Sequence, residues 1–406
     1  MVEVPLGSGH IDVSLPACSV TVATPEGRDA IDVASAARDA VANPSGPPLD
    51  ERVDSGDDVC IVVTDITRST PEKVLLDVLV DELTAVGIDR DAIAVVVGLG
   101  LHRPLTDAEM TELLGEYADL AVNHDPEQTV EVGTVDGCPI ELFEPATEAD
   151  HLLSTGMVEP HQYAGFSGGA KTAVIGAGGE SQIRYTHGPE LLSRDGVRLG
   201  RIADNPFRSF LDRAGDAAGV EFCLNVTKSP DGIMAVHAGD PRAVVSELAA
   251  VALDALAVEV DDRYDAVVAG VGAPKDANLY QTTRAATYVV LGATNPLRSG
   301  GRVVVPATLG EGAGEGTGEQ RFYERLSAAT DPHSLYKQMQ KGYEPGAQRA
   351  FVVARSLRDH DLWVTNSQNP AVVEDCLMSS APGIADAIEP DSNVLVVPES
   401  LDTLLR

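Results

Sequence analysis

Lysine is scarce in this chain, with six residues among 406 set against 63 aspartates and glutamates. Arginine carries most of the positive charge, and the formal net charge is -34 at pH 7. A surface of that sign repels nucleic acid and anionic membranes, which excludes polyanion binding as the main activity. Acid pairs run from Asp57-Asp58 to Asp261-Asp262 instead of gathering in one tail, so the charge belongs to the whole surface. Self-repulsion on that scale strains a compact fold unless salt screens it. The composition therefore points to a protein adapted to a high-salt cytoplasm.

Long apolar runs are also missing. Stretches such as Val59–Val63 and Ile93–Val97 are far shorter than the roughly 20 residues that cross a bilayer. The start, Met1-Val2-Glu3-Val4-Pro5, has neither the basic nor the apolar segment of a secretory signal, and the expected location is the cytoplasm. Five cysteines (Cys18, Cys60, Cys138, Cys223, Cys376) form no CxxC pair. An odd, scattered set suits neither a disulfide framework nor a zinc site and reads as small buried hydrophobes.

What is present is an α/β pattern. Val59–Thr64 reads as a buried strand, Pro71–Val86 as an amphipathic helix and Ala92–Gly98 as a second buried strand, together a βαβ unit. Further strands are expected at Thr129–Val135, Phe222–Val226, Asp265–Gly270, Arg302–Pro306 and Leu362–Thr365. Helices are expected at Thr106–Tyr117, Ala243–Val258, Thr283–Gly292 and Pro345–Leu357. Residues 1–56 read as an irregular lead-in, and 159–188 as one long glycine-rich loop. Two α/β domains follow, 1–264 and 265–406, with the last residues packing back on the first.

Ligands of α/β sheets sit at the carboxyl ends of strands, where the sequence places Asp65-Ile66-Thr67-Arg68 and Gly100-Leu101-His102-Arg103-Pro104. In Gly165-Phe166-Ser167-Gly168-Gly169-Ala170-Lys171-Thr172, Ala170 stands where a P-loop has its second glycine, and no clear strand precedes it. A nucleotide-hydrolysing reading is therefore set aside, although glycines still let backbone amides converge on a phosphate. Lys171, among glycines and small apolar residues, is desolvated enough to act as a nucleophile or to carry a covalent group. His161 and His187 flank it and His102 ends a strand; imidazoles serve both proton transfer and metal ligation. Gln281 and Arg284 share a helix face at i, i+3, beside Tyr280, and with Arg68 suit a carboxylate.

Taken together, Asp65-Ile66-Thr67-Arg68, Gly100–Pro104, the run from His161 to Lys171, His187 and Tyr280-Gln281-x-x-Arg284 resemble the nickel-pincer lactate racemase family, in a haloarchaeal-type acidic form. The resemblance implies a cofactor, the pyridinium-3-thioamide-5-thiocarboxylic acid mononucleotide with nickel, joined covalently to Lys171, with His187 as the protein's metal ligand. It implies that His102 and His161 are the two acid/base residues, that Arg68, Gln281, Arg284 and Tyr280 bind substrate, and that Asp65, Thr67, Arg68, Ser167 and Gly168 lie at the cofactor. An active site in the interdomain cleft and maturation proteins that build the cofactor are implied too.

Two departures from the family pattern fall in the substrate pocket. Arg284 stands where lactate-acting members have lysine, and Gly346-Ala347-Gln348 lacks an expected tryptophan. Malate or another 2-hydroxy acid is therefore as much an expectation as lactate. The other readings of the same residues are a zinc-dependent hydrolase or lyase using the three histidines, and a nucleotide- or phosphate-binding protein.

Overall fold

The computed structural model describes residues 2–261, 263–344 and 346–406. Two compact units emerge, one of Gly27–Thr186 with Arg201–Ala255, the other of Met1–Glu26, His187–Gly200 and Leu256–Arg406. A single cut after residue 264 captures this only in part, because the strand Ser19–Val22 pairs in parallel with Asn393–Val397. No local pattern announces a pairing between the two ends of a chain.

The first unit is built on a six-stranded sheet. Its order is Gly232–Gly239, Val220–Ser229, His151–Met157, Val59–Thr64, Ile93–Gly98 and Ala121–Asn123, all parallel except the first. Val59, Cys60, Ile61, Val62 and Val63 are all buried, as a parallel strand covered on both faces requires. The helix Glu72–Val86 packs Leu75, Leu76, Leu79 and Leu83 onto this sheet. It stops at Gly87, whose φ of 106° provides the left-handed cap.

The second unit carries another six-stranded sheet, ordered Ser379–Ala381, Asp361–Thr365, Leu297–Pro306, Tyr264–Ala269, Asn393–Val397 and Ser19–Val22, parallel throughout. The helix Leu279–Val290 begins earlier than the apolar pattern suggests, because the Asn278 side chain accepts from the Gln281 amide and caps it. The helix Pro241–Leu256 ends earlier than expected, and Ala257–Val258 instead pairs with Leu404–Leu405. Pro345, the expected start of another helix, lies outside the described residues; the helix there runs Gln348–Leu357. Among the described residues no helix is long and apolar enough to cross a membrane.

Two expectations are corrected. Residues 1–56 hold an antiparallel hairpin, Val2–Leu6 with Gly9–Val13, and a helix, Val33–Ala42. These are short, half-exposed elements with little apolar contrast to mark them. The stretch 159–188 is not one loop: Pro160–His161 pairs with Gly165–Phe166, a π-turn spans Thr172–Gly176, and Glu180–Thr186 is helical.

Candidate active site

The sheet of the first unit delivers its polar residues to the carboxyl ends of adjacent strands. Thr64 lies opposite Gly98 in the register, so the segments that follow them, with Asp65 and His102, emerge side by side. Asp65 Oδ2 lies 2.6 Å from His102 Nδ1, while Oδ1 accepts from the Thr67 amide at 3.1 Å and the Thr67 hydroxyl at 2.5 Å. Burial opposes the charge on Asp65, but the bonds from His102 and Thr67 outweigh it and hold the carboxyl below its usual range. An ionised Asp65 makes His102 Nδ1 the donor. The other nitrogen, Nε2, is left with its lone pair on a largely exposed ring.

His161 is held the opposite way. Its Nδ1 accepts from the backbone amides of Tyr163 at 3.3 Å and Ala164 at 3.1 Å. An amide can only donate, so the neutral ring carries its proton on Nε2.

Lys171 sits at the start of the π-turn, which is pressed onto the end of the Ile93–Gly98 strand. A side chain at Gly98 would come within 3.0 Å of the Gly176 Cα, and Gly100 N donates to Gly176 O at 2.7 Å. Only paired glycines allow that approach. Desolvation, then the guanidiniums of Arg68 and Arg208, push the Lys171 ammonium down to about 7, with Glu159 and Asp65 pulling the other way. Near neutral pH a large share of this amine is uncharged, the form able to make a covalent bond.

The glycine loop spends its polar groups internally. Ser167 Oγ donates to Met157 O at 2.6 Å and accepts from Glu159 N at 3.0 Å. The Ser167 amide donates to Glu159 O, and the Gly169 amide to Asn225 Oδ1 at 2.7 Å. A phosphate cradle built from those two amides is therefore not available. Gly168 has φ 78°, and a Cβ there would meet Val158 at 2.5 Å; its role in the fold is steric. Arg208, buried, donates to Phe166 O at 2.6 Å, and Asn205 Nδ2 donates to Tyr163 O at 2.8 Å.

In the second unit His187 is partly buried, and the Tyr343 hydroxyl donates to its carbonyl. Tyr280, Gln281 and Arg284 all lie on the helix Leu279–Val290. The Arg284 Nε is buried without a hydrogen-bond partner. Buried Arg349 lies over the Tyr280 ring at 5.3 Å and reaches the Thr287 hydroxyl at 3.4 Å. It belongs to the segment where the tryptophan is missing.

The structure thus gathers Asp65, Thr67, Arg68, His102 and Lys171 in one unit with His161, Ser167 and Gly168, and sets His187, Tyr280, Gln281 and Arg284 in the other. Glu159, Arg208 and Asn225 were not anticipated. Glu159, two residues before His161, pairs with Arg68 Nη1 at 2.5 Å; a lone carboxylate in so acidic a sequence gives no signal. Among the described residues no three His, Cys, Asp or Glu side chains converge as a metal-binding set. All five cysteines are free, four of them buried and Cys18 partly so.

Comparison with known proteins adds a second line. Residues 6–200 match the lactate racemase N-terminal domain and residues 261–401 the lactate racemase C-terminal domain. The lactate racemase of Thermoanaerobacterium thermosaccharolyticum is 28% identical over 398 residues, covering 90% of this chain and 89% of the relative. That of Lactiplantibacillus plantarum is 28% identical over 392 residues with the same coverage. The fold matches the solved lactate racemase apoprotein from T. thermosaccharolyticum with a TM-score of 0.88 at 24% identity, over 100% of this chain and 99% of that one. A Thermotoga maritima protein matches with a TM-score of 0.68 at 16% identity, over 92% and 98%.

Proposed function

The chain belongs to the lactate racemase family, and from that premise we propose that it inverts the 2-carbon of a small 2-hydroxy acid, using a nickel-pincer nucleotide held on Lys171. The observation that carries this reading is the state of Lys171, an amine brought to about 7 beside Arg68 and Arg208, in the same unit as the Asp65–His102 pair.

The chain's own residues fit such a cofactor. A partly uncharged lysine is what an amide or thioamide linkage needs, and His187 supplies an imidazole whose backbone is fixed by Tyr343. When bound, the cofactor supplies a hydride acceptor and donor at a ring carbon beside nickel. That chemistry is needed because the C2 hydrogen of a hydroxycarboxylate is too weakly acidic for a histidine to remove as a proton.

The protein's part is to hold the carboxylate and move the hydroxyl proton. The residues assigned to the carboxylate are Arg68 in one unit and Gln281 and Arg284, on one helix with Tyr280, in the other. His102 takes the hydroxyl proton at Nε2, while Asp65 fixes its tautomer and steadies the imidazolium that results. His161 serves the opposite enantiomer. To accept a proton at Nε2 it must first carry one on Nδ1, so the Tyr163 and Ala164 amides have to release that nitrogen. Arg284 offers a fork of donors where lysine offers a point charge, and with the tryptophan missing it favours a second carboxylate, as in malate, over a methyl group.

Intact mass and nickel content of protein purified from its native source test the proposal, together with chiral analysis of lactate and malate after incubation. A mass increase on the Lys171 peptide with about one nickel per chain supports it. An unmodified chain that is fully active would overturn it.

A further inference from the structure

Glu72 is a carboxylate that the mechanism above does not use, and it is among the most buried charged groups of the molecule, 1% exposed. It opens the helix Glu72–Val86. One oxygen, Oε1, accepts from the Thr64 amide at 2.8 Å and the Thr64 hydroxyl at 2.5 Å. The other, Oε2, accepts from the hydroxyl of buried Thr155. The Thr70 hydroxyl completes the cluster at 2.9 Å from that of Thr64.

The placement of these partners gives the cluster its meaning. Thr64 is the last residue of its strand, immediately before Asp65, Thr67 and Arg68, and Thr70 closes the same loop. Thr155 lies near the end of the neighbouring strand His151–Met157, which leads into Glu159, His161 and Lys171. A buried carboxylate is costly unless bonded, and packing alone could have filled this place with an apolar residue. Three donors converging on one carboxylate fix the relative position of two strand ends more sharply than apolar contact does.

We propose that Glu72 is a positioning residue, tying the ends of the Val59–Thr64 and His151–Met157 strands so that the Asp65–Arg68 loop and the segment leading to Lys171 keep one relative geometry. The inference rests on the functional reading only in its consequence for catalysis; the tie itself is independent of it. Displacement of catalytic groups by about 1 Å costs up to roughly 100-fold in rate, so loss of the tie lowers turnover without removing any group that touches substrate.

Burial raises the Glu72 carboxyl to about 7, against the bonds from Thr155 and Thr64, and no charged side chain contributes. Its facing groups are Thr64, Thr70 and Thr155. Asp65, Arg68 and Lys171 are the charged residues of the flanking segments, and they are engaged with His102, Glu159 and each other. The tie is therefore complete above about pH 7. Below that, the neutral acid accepts its three donors without the charge that strengthens them.

The test compares wild type with Glu72→Gln, Thr155→Ser and Thr155→Val. Hydrogen exchange of the cofactor-free protein, corrected for intrinsic chemistry, reads segments 65–70 and 158–171 between pH 6 and 8. The expected result is faster exchange in both segments of wild type below about pH 7, and loss of this step in Glu72→Gln. A step that persists in Glu72→Gln belongs to another group and overturns the proposal. On the cofactor-loaded enzyme, Thr155→Ser should keep kcat and Thr155→Val lose about tenfold or more at nearly unchanged melting temperature. Equal kcat in the two Thr155 variants also overturns it. If wild type racemises no 2-hydroxy acid, the functional reading fails, and the exchange measurement still decides the tie.

Discussion

Glu159 Oε1 stands 2.5 Å from Arg68 Nη1, so the arginine proposed for the substrate carboxylate already has an anionic partner inside the protein. Both side chains are partly exposed, 34% and 23%, and such a pair is worth about 0.2–1 kcal/mol. Binding a substrate carboxylate competes with it. Glu159→Gln should therefore lower KM for the 2-hydroxy acid by up to about fivefold. The same substitution removes a charge that holds the Lys171 ammonium up, so the Lys171 pKa should fall further. An increase in KM would show that Glu159 orients Arg68 for binding and does not compete for it.

The two histidines carry a second prediction, because their Nδ1 atoms have opposite roles. Nitrogen-15 shifts should show the proton on Nδ1 in His102 and on Nε2 in His161. Asp65→Asn offers His102 an amide in place of a carboxylate and permits the wrong tautomer; kcat should fall by about 100-fold or more. With depressed Asp65, the stability from this pair is present above the unfolded carboxyl pKa and is lost as pH falls through the lower folded value. The Asn variant should lack that loss. A proton on Nε2 of His102 would remove the basis for treating it as the ready base.

Much of this was legible in the sequence. Val59–Thr64 and Ile93–Gly98 declare themselves because strands buried on both faces are apolar throughout, and that places Asp65 and His102 at a sheet's carboxyl edge. The lysine stands out because the chain has so few. What stayed hidden depends on distant partners. Ser19–Val22 is exposed at every residue and is a strand only through Asn393–Val397. Asn225 and Arg208 lie in the strand Val220–Ser229 and the helix Pro206–Ala218, and nothing local marks them as supports of the glycine loop. The amides of Ser167 and Gly169 look free in sequence and are bonded in the fold.

The proposed reading assigns substrate choice to Arg284. Its Nε is buried without a hydrogen-bond partner, and its guanidinium brings a fork of donors that discriminate strongly when left unpaired. Arg284→Lys should reduce kcat/KM for malate by about tenfold or more and improve lactate relative to it. Rates with both acids, measured at several molar salt so that the chain's charge stays screened, give the ratio. If the ratio does not move, Arg284 does not select the substrate.

Lys171 offers a measurement that needs no cofactor. Its ammonium is displaced from 10.5 to about 7 by desolvation first and then by Arg68 and Arg208, so half of it is free amine near neutral pH. In cofactor-free protein, limited acylation should modify Lys171 ahead of the other lysines, with half-maximal reactivity near pH 7. Arg68→Ala removes one repelling charge and should move that midpoint upward. The linkage has a definite sign. Between pH 7 and 10.5 the unfolded chain holds a proton that the folded chain has released, so this group makes stability rise with pH across that window. Lys171→Met, which has no charge to bury, should therefore melt higher than wild type at pH 7 while retaining no cofactor. A midpoint near 10 for Lys171, or a methionine variant no more stable than wild type, would remove the argument that the fold prepares this amine for a covalent bond.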